Sequence, residues 1–220
     1  VSSRAKPSEK DLLRVVLAHG GCDPRVAAAL RRTPRAGFVP ADRVADAYRD
    51  EPLPIGHGQV TTQPSLSATM ITGLALDGTE HVLEVGTGLG FQTALLARLA
   101  RDVVSVELWA DLSEQARRNL DRLGIGNVEL FVGDGSEGVG ERAPFDAVLV
   151  SAAFPEVPAP LIGQLKPGGR LVQPIGPGGR EEVVLFRRVA DGLERCRTLI
   201  LAHFVRLYGR HGFGRPAEDR

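Results

Sequence analysis

The residues best suited to chemistry are three acids set beside glycines. Val82-Leu83-Glu84-Val85 runs into Gly86-Thr87-Gly88-Leu89-Gly90, Val103 to Glu107 is a second apolar run closing on an acid, and Gly133-Asp134-Gly135 follows a third. Short apolar runs of this kind read as buried strands, and the apolar spacing from Gln92 to Ala100 reads as a helix. A strand, a turn without side chains and a helix N-terminus make a place where a ligand meets bare backbone. A carboxylate at the C-terminal end of a strand, here Glu107, can accept both hydroxyls of a ribose. Acids placed this regularly beside glycines point to a nucleoside site. An ordinary packing turn between strand and helix leaves them unexplained.

The glycine spacing narrows the nucleoside. A dinucleotide fingerprint spaces its glycines G-x-G-x-x-G, with an acid further on for the ribose. Here the pattern is G-x-G-x-G with Glu84 two residues ahead, which resembles the S-adenosylmethionine motif of Rossmann-like methyltransferases. The expected cofactor contacts are therefore Glu84, Gly86, Thr87, Gly88, Glu107, Asp134 and Gly135. Glu84 keeps two readings: it orients the methionine amine, through water or the turn's amides, or it only stabilises the turn.

A parallel sheet is needed to bring these residues together. Strands read near 81–86, 102–107, 127–132, 145–151 and 169–175, with helices near 91–100, 111–123 and 158–165. That alternation implies parallel strands covered on both faces. After Gly168-Gly169 the helices stop, and 181–189 and 193–205 read as strands joined at Asp191-Gly192, an antiparallel hairpin closing the sheet's edge. Ahead of the sheet, Ser8 to Asp11 signal a helix start and Asp23-Pro24 another, broken at Thr33-Pro34 and Val39-Pro40. Residues 49–64 have no period and are rich in Pro, Gly and small polar residues, a long loop of the kind that is often functional. Helix resumes from Ser65 to Leu76.

The expected fold is a Rossmann-like, doubly wound α/β domain with a mostly parallel seven-stranded sheet, a terminal antiparallel hairpin and an N-terminal helical extension. Residues 1–220 read as one domain: helices and substrate loop over 1–80, cofactor core over 81–175, edge hairpin over 176–207 and a frayed tail over 208–220.

Composition excludes several functions. Lys plus Arg and Asp plus Glu number 27 each, so no global field gathers nucleic acid or an anionic membrane. No apolar run approaches the ~18 residues of a membrane span, and charges interrupt the N-terminal apolar patch where a signal-peptide core would lie. Cys22 and Cys196 form no metal-ligand spacing, so no metal is expected, and they read as free thiols of a reducing cytoplasm.

From about Arg32 to Gly212 the chain resembles the protein-L-isoaspartate O-methyltransferase family. Pro34-Arg35, Phe38-Val39-Pro40, Pro52-Leu53-Pro54-Ile55-Gly56, Gly58-Gln59, Gln63-Pro64 and Met70 carry the resemblance ahead of the first strand. The glycine turn, Gly133-Asp134-Gly135, Ala143-Pro144-Phe145-Asp146, Gln164 to Val172 and Phe204-Val205 complete it. Many methyltransferases share the glycine turn and the Lys-Pro-Gly-Gly segment, whereas the loop before the first strand is much more specific. The resemblance implies an S-adenosylmethionine-dependent enzyme that esterifies L-isoaspartyl residues in damaged proteins and peptides, the ester then collapsing through a succinimide. It implies Asp134 and the Gly135 amide at the adenine, and Gly86 and Gly88 beside the methionine moiety. Trp109 is placed to pack on the adenine face, and Tyr208 to close over the cofactor.

The acceptor side departs from the family. Its usual Thr-Ile-Ser-(any)-Pro segment is here Val60-Thr61-Thr62-Gln63-Pro64. Thr62 stands for the serine and is the expected catalytic residue: it keeps a hydroxyl to position the substrate carboxylate, while its β-methyl restricts χ1. Ser67 stands where some relatives have histidine. Val60, Thr61, Gln63, Ser67 and His57 are the further expected substrate contacts, with a solvent-facing position as the alternative for His57. His81 and His203 read as structural. A changed loop beside intact cofactor motifs leaves three readings: isoaspartyl repair, methylation of an ordinary aspartate in a biosynthetic precursor peptide to give an aspartimide, and a cofactor-binding module without catalysis.

Overall fold

The computed structural model describes residues 6–19 and 22–214. Ser8 caps α1 (Glu9–Ala18) in a full capping box with Asp11, and Asp23 accepts from Arg25 N ahead of α2 (Pro24–Arg31), whose first turn holds Pro24. Two short 3-10 turns, Arg35–Phe38 and Ala41–Asp46, follow the break at Pro34. The segment expected to be an irregular loop contains a small antiparallel hairpin, β1 (Pro54–Gly56) with β2 (Gln59–Val60), turning at His57-Gly58, both at positive φ. Strands this short have no room for an alternating pattern, so their periodicity is silent. Helix α3 (Pro64–Leu74) leads to the sheet.

The apolar runs become β3 (His81–Val85), β4 (Asp102–Glu107), β5 (Val128–Val132), β6 (Phe145–Val150), β7 (Leu165–Ile175), β8 (Glu181–Val189) and β9 (Gly192–Ala202). Their spatial order is β5-β4-β3-β6-β7-β8-β9, parallel through β7 and antiparallel across β8 and β9. Helices α4 (Phe91–Ala97), α5 (Ala110–Arg122) and α6 (Ala159–Gln164) make the crossovers. Strand β7 starts at Leu165, earlier than expected, because the chain passes from α6 straight into the sheet through an irregular register against β6. The expected frayed tail is ordered as far as Gly214: Gly209 N donates to Phe213 O (3.0 Å) and Phe213 N to Leu207 O (2.7 Å). The rest of that tail, 215–220, lies outside the described residues.

Successive strand residues face opposite ways. Val82, Val103, Ala147, Leu149 and Val172 join one apolar cluster with the N-terminal helices and α4, and Leu83, Val85, Val104, Val106, Val148 and Val150 join another beneath Leu161 and Leu207. Burial on both faces is why these strands read as continuous apolar runs. Glu84 and Ser105, both wholly buried, interrupt the first face at the strands' C-terminal ends. The chain order reverses between β3 and β6, and ligands of open α/β sheets bind outside the strand ends at such a point. Gly86 leaves β3 there and Ser151 leaves β6. Among the described residues no helix is long and apolar enough to cross a membrane.

Candidate cofactor and acceptor site

Gly86, Gly88 and Gly90 hold φ of 95°, 54° and 90°, a region that side chains disfavour. This backbone wraps the turn onto Glu107: Gly88 N donates to Oε2 (2.7 Å), while Leu108 N (2.8 Å) and Trp109 N (3.1 Å) donate to Oε1. A carboxylate offers about four lone-pair sites. Three are taken by amides, and Oε2 can accept again from within the cavity that Glu107 lines. Burial raises the Glu107 carboxyl above its ordinary range, with the three amides opposing.

Glu84 is 0% exposed and lies under α4. It accepts from Thr93 Oγ1, Ser105 Oγ (2.7 Å) and Gln92 Nε2 (3.3 Å), and Ser105 Oγ lies 2.6 Å from Thr87 Oγ1. Burial pushes its carboxyl up to about 7 against those hydrogen bonds. Glu84 does not line the cavity itself; it connects to the cavity wall through Gln92 and, by way of Ser105, through Thr87. Thr87 lines the cavity, but its hydroxyl points inward to Ser105, so the turn offers backbone there. Gln92 Nε2 also donates to Ser151 Oγ (2.6 Å), which leaves Gln92 Oε1 buried without a partner at the cavity wall.

Asp134 is held from both sides by the protein. Its Oδ1 accepts from Ser136 N (2.9 Å) and Ser136 Oγ (2.6 Å), and its Oδ2 from Arg210 N (2.6 Å). Gly135 lines the cavity; the Asp134 side chain does not. The acid anchors the 208–212 loop, which brings Tyr208 to the cavity. A Cβ at Gly135 would lie 2.5 Å from Val85 Cγ1, so only glycine fits the turn there.

The acceptor loop divides by role. Thr61 is buried, and its Oγ1 accepts from Arg35 Nη2 (2.8 Å) and Leu53 N (3.0 Å), so this hydroxyl holds the loop together rather than facing substrate. Gln63 Nε2 is likewise tied, to Asp50 Oδ2 (2.9 Å) and Ser65 Oγ (3.0 Å). Thr62 makes no side-chain hydrogen bond among the described residues. Ser67 is fully buried, lines the cavity, and its Oγ has no partner. His57 lies exposed at the hairpin turn and lines neither the cavity nor the groove outside it. It stacks on Trp109 (centroids 4.1 Å apart, 5° between planes) and sits 3.0 Å from both Asp111 carboxylate oxygens, which pulls the Asp111 carboxyl below its usual range. The hairpin tip is thereby latched onto the start of α5.

Two spaces meet at this loop. The inner cavity, about 880 Å³ including its open mouth, is walled by the glycine turn, Glu107, Trp109, Gly135 and Tyr208. The outer groove runs past Pro52, Gln63, Leu66, Ile200 and His203. Val60, Thr61, Thr62, Ser151 and Val205 wall both. Gln92 and Ser151 were not singled out from sequence. The available signal for Ser151 was a hydroxyl directly after an apolar strand, at the end where ligands bind.

A glycine-floored cavity opening past hydroxyls to a groove, on this sheet order, defines a Rossmann-like methyltransferase. A family model described as protein-L-isoaspartate(D-aspartate) O-methyltransferase matches residues 7–212, and the chain belongs to that family. A protein-L-isoaspartate O-methyltransferase of Anaeromyxobacter dehalogenans is 52% identical over 194 residues, 87% of this chain and 93% of the relative. One from Myxococcus xanthus is 47% identical over 195 residues, 87% and 92% of the two chains. A solved protein-L-isoaspartate O-methyltransferase superposes with TM-score 0.81 at 32% identity, over 93% of this chain and 67% of its own. A Plasmodium falciparum structure in complex with S-adenosyl-L-homocysteine shares the fold at 22% identity and TM-score 0.77, over 91% of this chain and 98% of its own.

Proposed function

We propose that this chain uses S-adenosylmethionine to esterify the free carboxylate of L-isoaspartyl residues in damaged proteins and peptides, an ester that then collapses to a succinimide. The observation that carries the reading is the passage at Thr62, where an untied hydroxyl stands between a nucleoside cavity and an open groove. The inner cavity suits the cofactor. Glu107 keeps a lone pair for the ribose, Gln92 Oε1 is a buried acceptor in need of a donor such as an ammonium, and no side chains stand at Gly86, Gly88 and Gly135.

When bound, S-adenosylmethionine supplies a sulfonium methyl that a carboxylate oxygen attacks in line, the C–S bonding pair passing to sulfur. An ionised carboxylate needs no base, so this chain contributes orientation and exclusion of water. Glu107 fixes the ribose, Trp109 walls the adenine side, the Gly135 amide stands near the base, and Thr62 donates to the acceptor carboxylate. Asp134 acts at one remove, by holding the loop that carries Tyr208. Val60 and Ser67 wall the passage, whereas Thr61, Gln63 and His57 set its shape. Two free thiols, Cys22 and Cys196, support a reducing cytoplasm as its compartment.

Matched isoaspartyl and aspartyl peptides test the reading. Methylation of the isoaspartyl peptide alone is expected, and equal or reversed preference overturns it. The Thr62 β-methyl is the one observation favouring the aspartyl alternative, and the names of the relatives lend that alternative no support. Thr62→Ala should lower kcat/KM by roughly ten- to a hundredfold, the worth of one hydrogen bond to a charge, with cofactor affinity little changed. Thr62→Ser should retain activity, and wild-type behaviour of Thr62→Ala would remove the role assigned to this hydroxyl. Asp134→Ala should loosen the 208–212 loop, weakening S-adenosylhomocysteine about tenfold and speeding tryptic cleavage at Arg210. Unchanged cleavage at Arg210 would show that the anchor is not what holds the loop.

A further inference from the structure

We infer that Ser151 is a second hydroxyl donor to the acceptor carboxylate, aimed by Gln92, and that it grips the substrate together with Thr62 in the passage that both residues wall. The inference rests on the methyltransfer reading above. Ser151 stands directly after β6, at the point where the chain order reverses. Its Cβ lies 3.4 Å from the position a Cβ would take on Gly86, so it touches the glycine turn, and it walls both the inner cavity and the outer groove.

The direction of its proton follows from the hydrogen bonds around it. A serine hydroxyl has one proton and two lone pairs. Gln92 Nε2 donates into Oγ at 2.6 Å, so in this contact Ser151 is the acceptor. Turning the amide the other way would set Gln92 Oε1 against a Glu84 oxygen, so the orientation with Nε2 between Glu84 and Ser151 is the favoured one while Glu84 is ionised. The Ser151 proton therefore points elsewhere, and no described group accepts it. What lies there is the passage between groove and cavity.

Two neutral donors suit this chemistry better than a cation. The attacking oxygen must keep its negative charge, and a lysine or arginine in the passage would pair with it and blunt the nucleophile. Hydroxyls from Thr62 and Ser151 orient the carboxylate without neutralising it. As the O–CH₃ bond forms and the C–S bond breaks, the bonding pair stays on sulfur and no proton moves, so Ser151 remains a hydroxyl throughout. Glu84 and Gln92 are positioning residues acting through it.

The test measures binding of an isoaspartyl peptide to enzyme loaded with S-adenosylhomocysteine, by calorimetry, alongside steady-state kinetics. Ser151→Ala is expected to weaken the peptide and raise its KM by about tenfold. Quenching of Trp109, the sole tryptophan, should report unchanged S-adenosylhomocysteine affinity. Ser151→Thr, which keeps the hydroxyl, should restore peptide binding. Wild-type peptide affinity in Ser151→Ala overturns the inference. So does equal loss of peptide and cofactor binding, or failure of Ser151→Thr to rescue, since either marks a merely structural residue. Wild-type enzyme that does not methylate the isoaspartyl peptide overturns the underlying reading instead, and that control is read before any variant.

Discussion

Glu107→Ala is expected to lower S-adenosylhomocysteine affinity by about 100-fold or more, the largest single effect on the cofactor. Two losses combine. The ribose loses a charged acceptor, and three buried amides, at Gly88, Leu108 and Trp109, lose the carboxylate that holds them in one arrangement. The second loss lets the glycine turn relax away from the geometry that admits the cofactor. Glu107→Gln keeps the volume but turns an NH₂ toward donors, so an intermediate loss is expected. Burial raises the Glu107 carboxyl, and it protonates at higher pH than an exposed glutamate. Acidification should therefore weaken the cofactor before the ordinary carboxylate range is reached. Fluorescence titration of Trp109 across pH measures both effects. Wild-type affinity in Glu107→Ala would remove the acid from the site.

The parts of this molecule legible in sequence are those whose physics is local. Strands buried on two faces write themselves as apolar runs, so β3 to β9 stood nearly where expected. Three glycines between a strand and a helix similarly announced the cofactor turn. What stayed hidden depends on partners distant in the chain. Nothing in the Asp134 motif shows that its carboxylate also holds Arg210 N, 76 residues away. His57 is the exposed loop histidine it reads as, but its partners, Trp109 under its ring and Asp111 beside it, come only from the fold. Ser151 has no motif, and its meaning comes from Gln92, 59 residues earlier. The hairpin of β1 and β2 was hidden for another reason: its strands are too short to show a period, and Arg35 ties the segments on either side of it.

Arg35→Met is expected to destabilise the protein by about 3 kcal/mol or more, the largest expected effect on stability. The side chain is 1% exposed. Its Nη1 donates to Ala47 O (3.2 Å) and Arg49 O (2.7 Å), and its Nη2 to Glu51 O (2.9 Å) and Thr61 Oγ1 (2.8 Å). Burial lowers the guanidinium pKa to about 10, with Asp50 and Glu51 opposing, so it stays charged at neutral pH. Methionine fills similar space and leaves all four acceptors without this donor. Urea denaturation should show a lower midpoint, and the loss should fall unevenly on function. Residues 47–61 carry the acceptor wall, so peptide KM should rise well before cofactor affinity drops. Thr61→Val, nearly isosteric, leaves Arg35 Nη2 and Leu53 N without their acceptor and should lose about 1–2 kcal/mol. In the double variant the two losses should not add, because both remove the same bond. An unchanged midpoint in Arg35→Met, or full additivity, would sever Thr61 from Arg35. If the coupling holds, the polar residue at Thr61 answers to a buried arginine, and only its neighbour Thr62 is left to answer to the substrate.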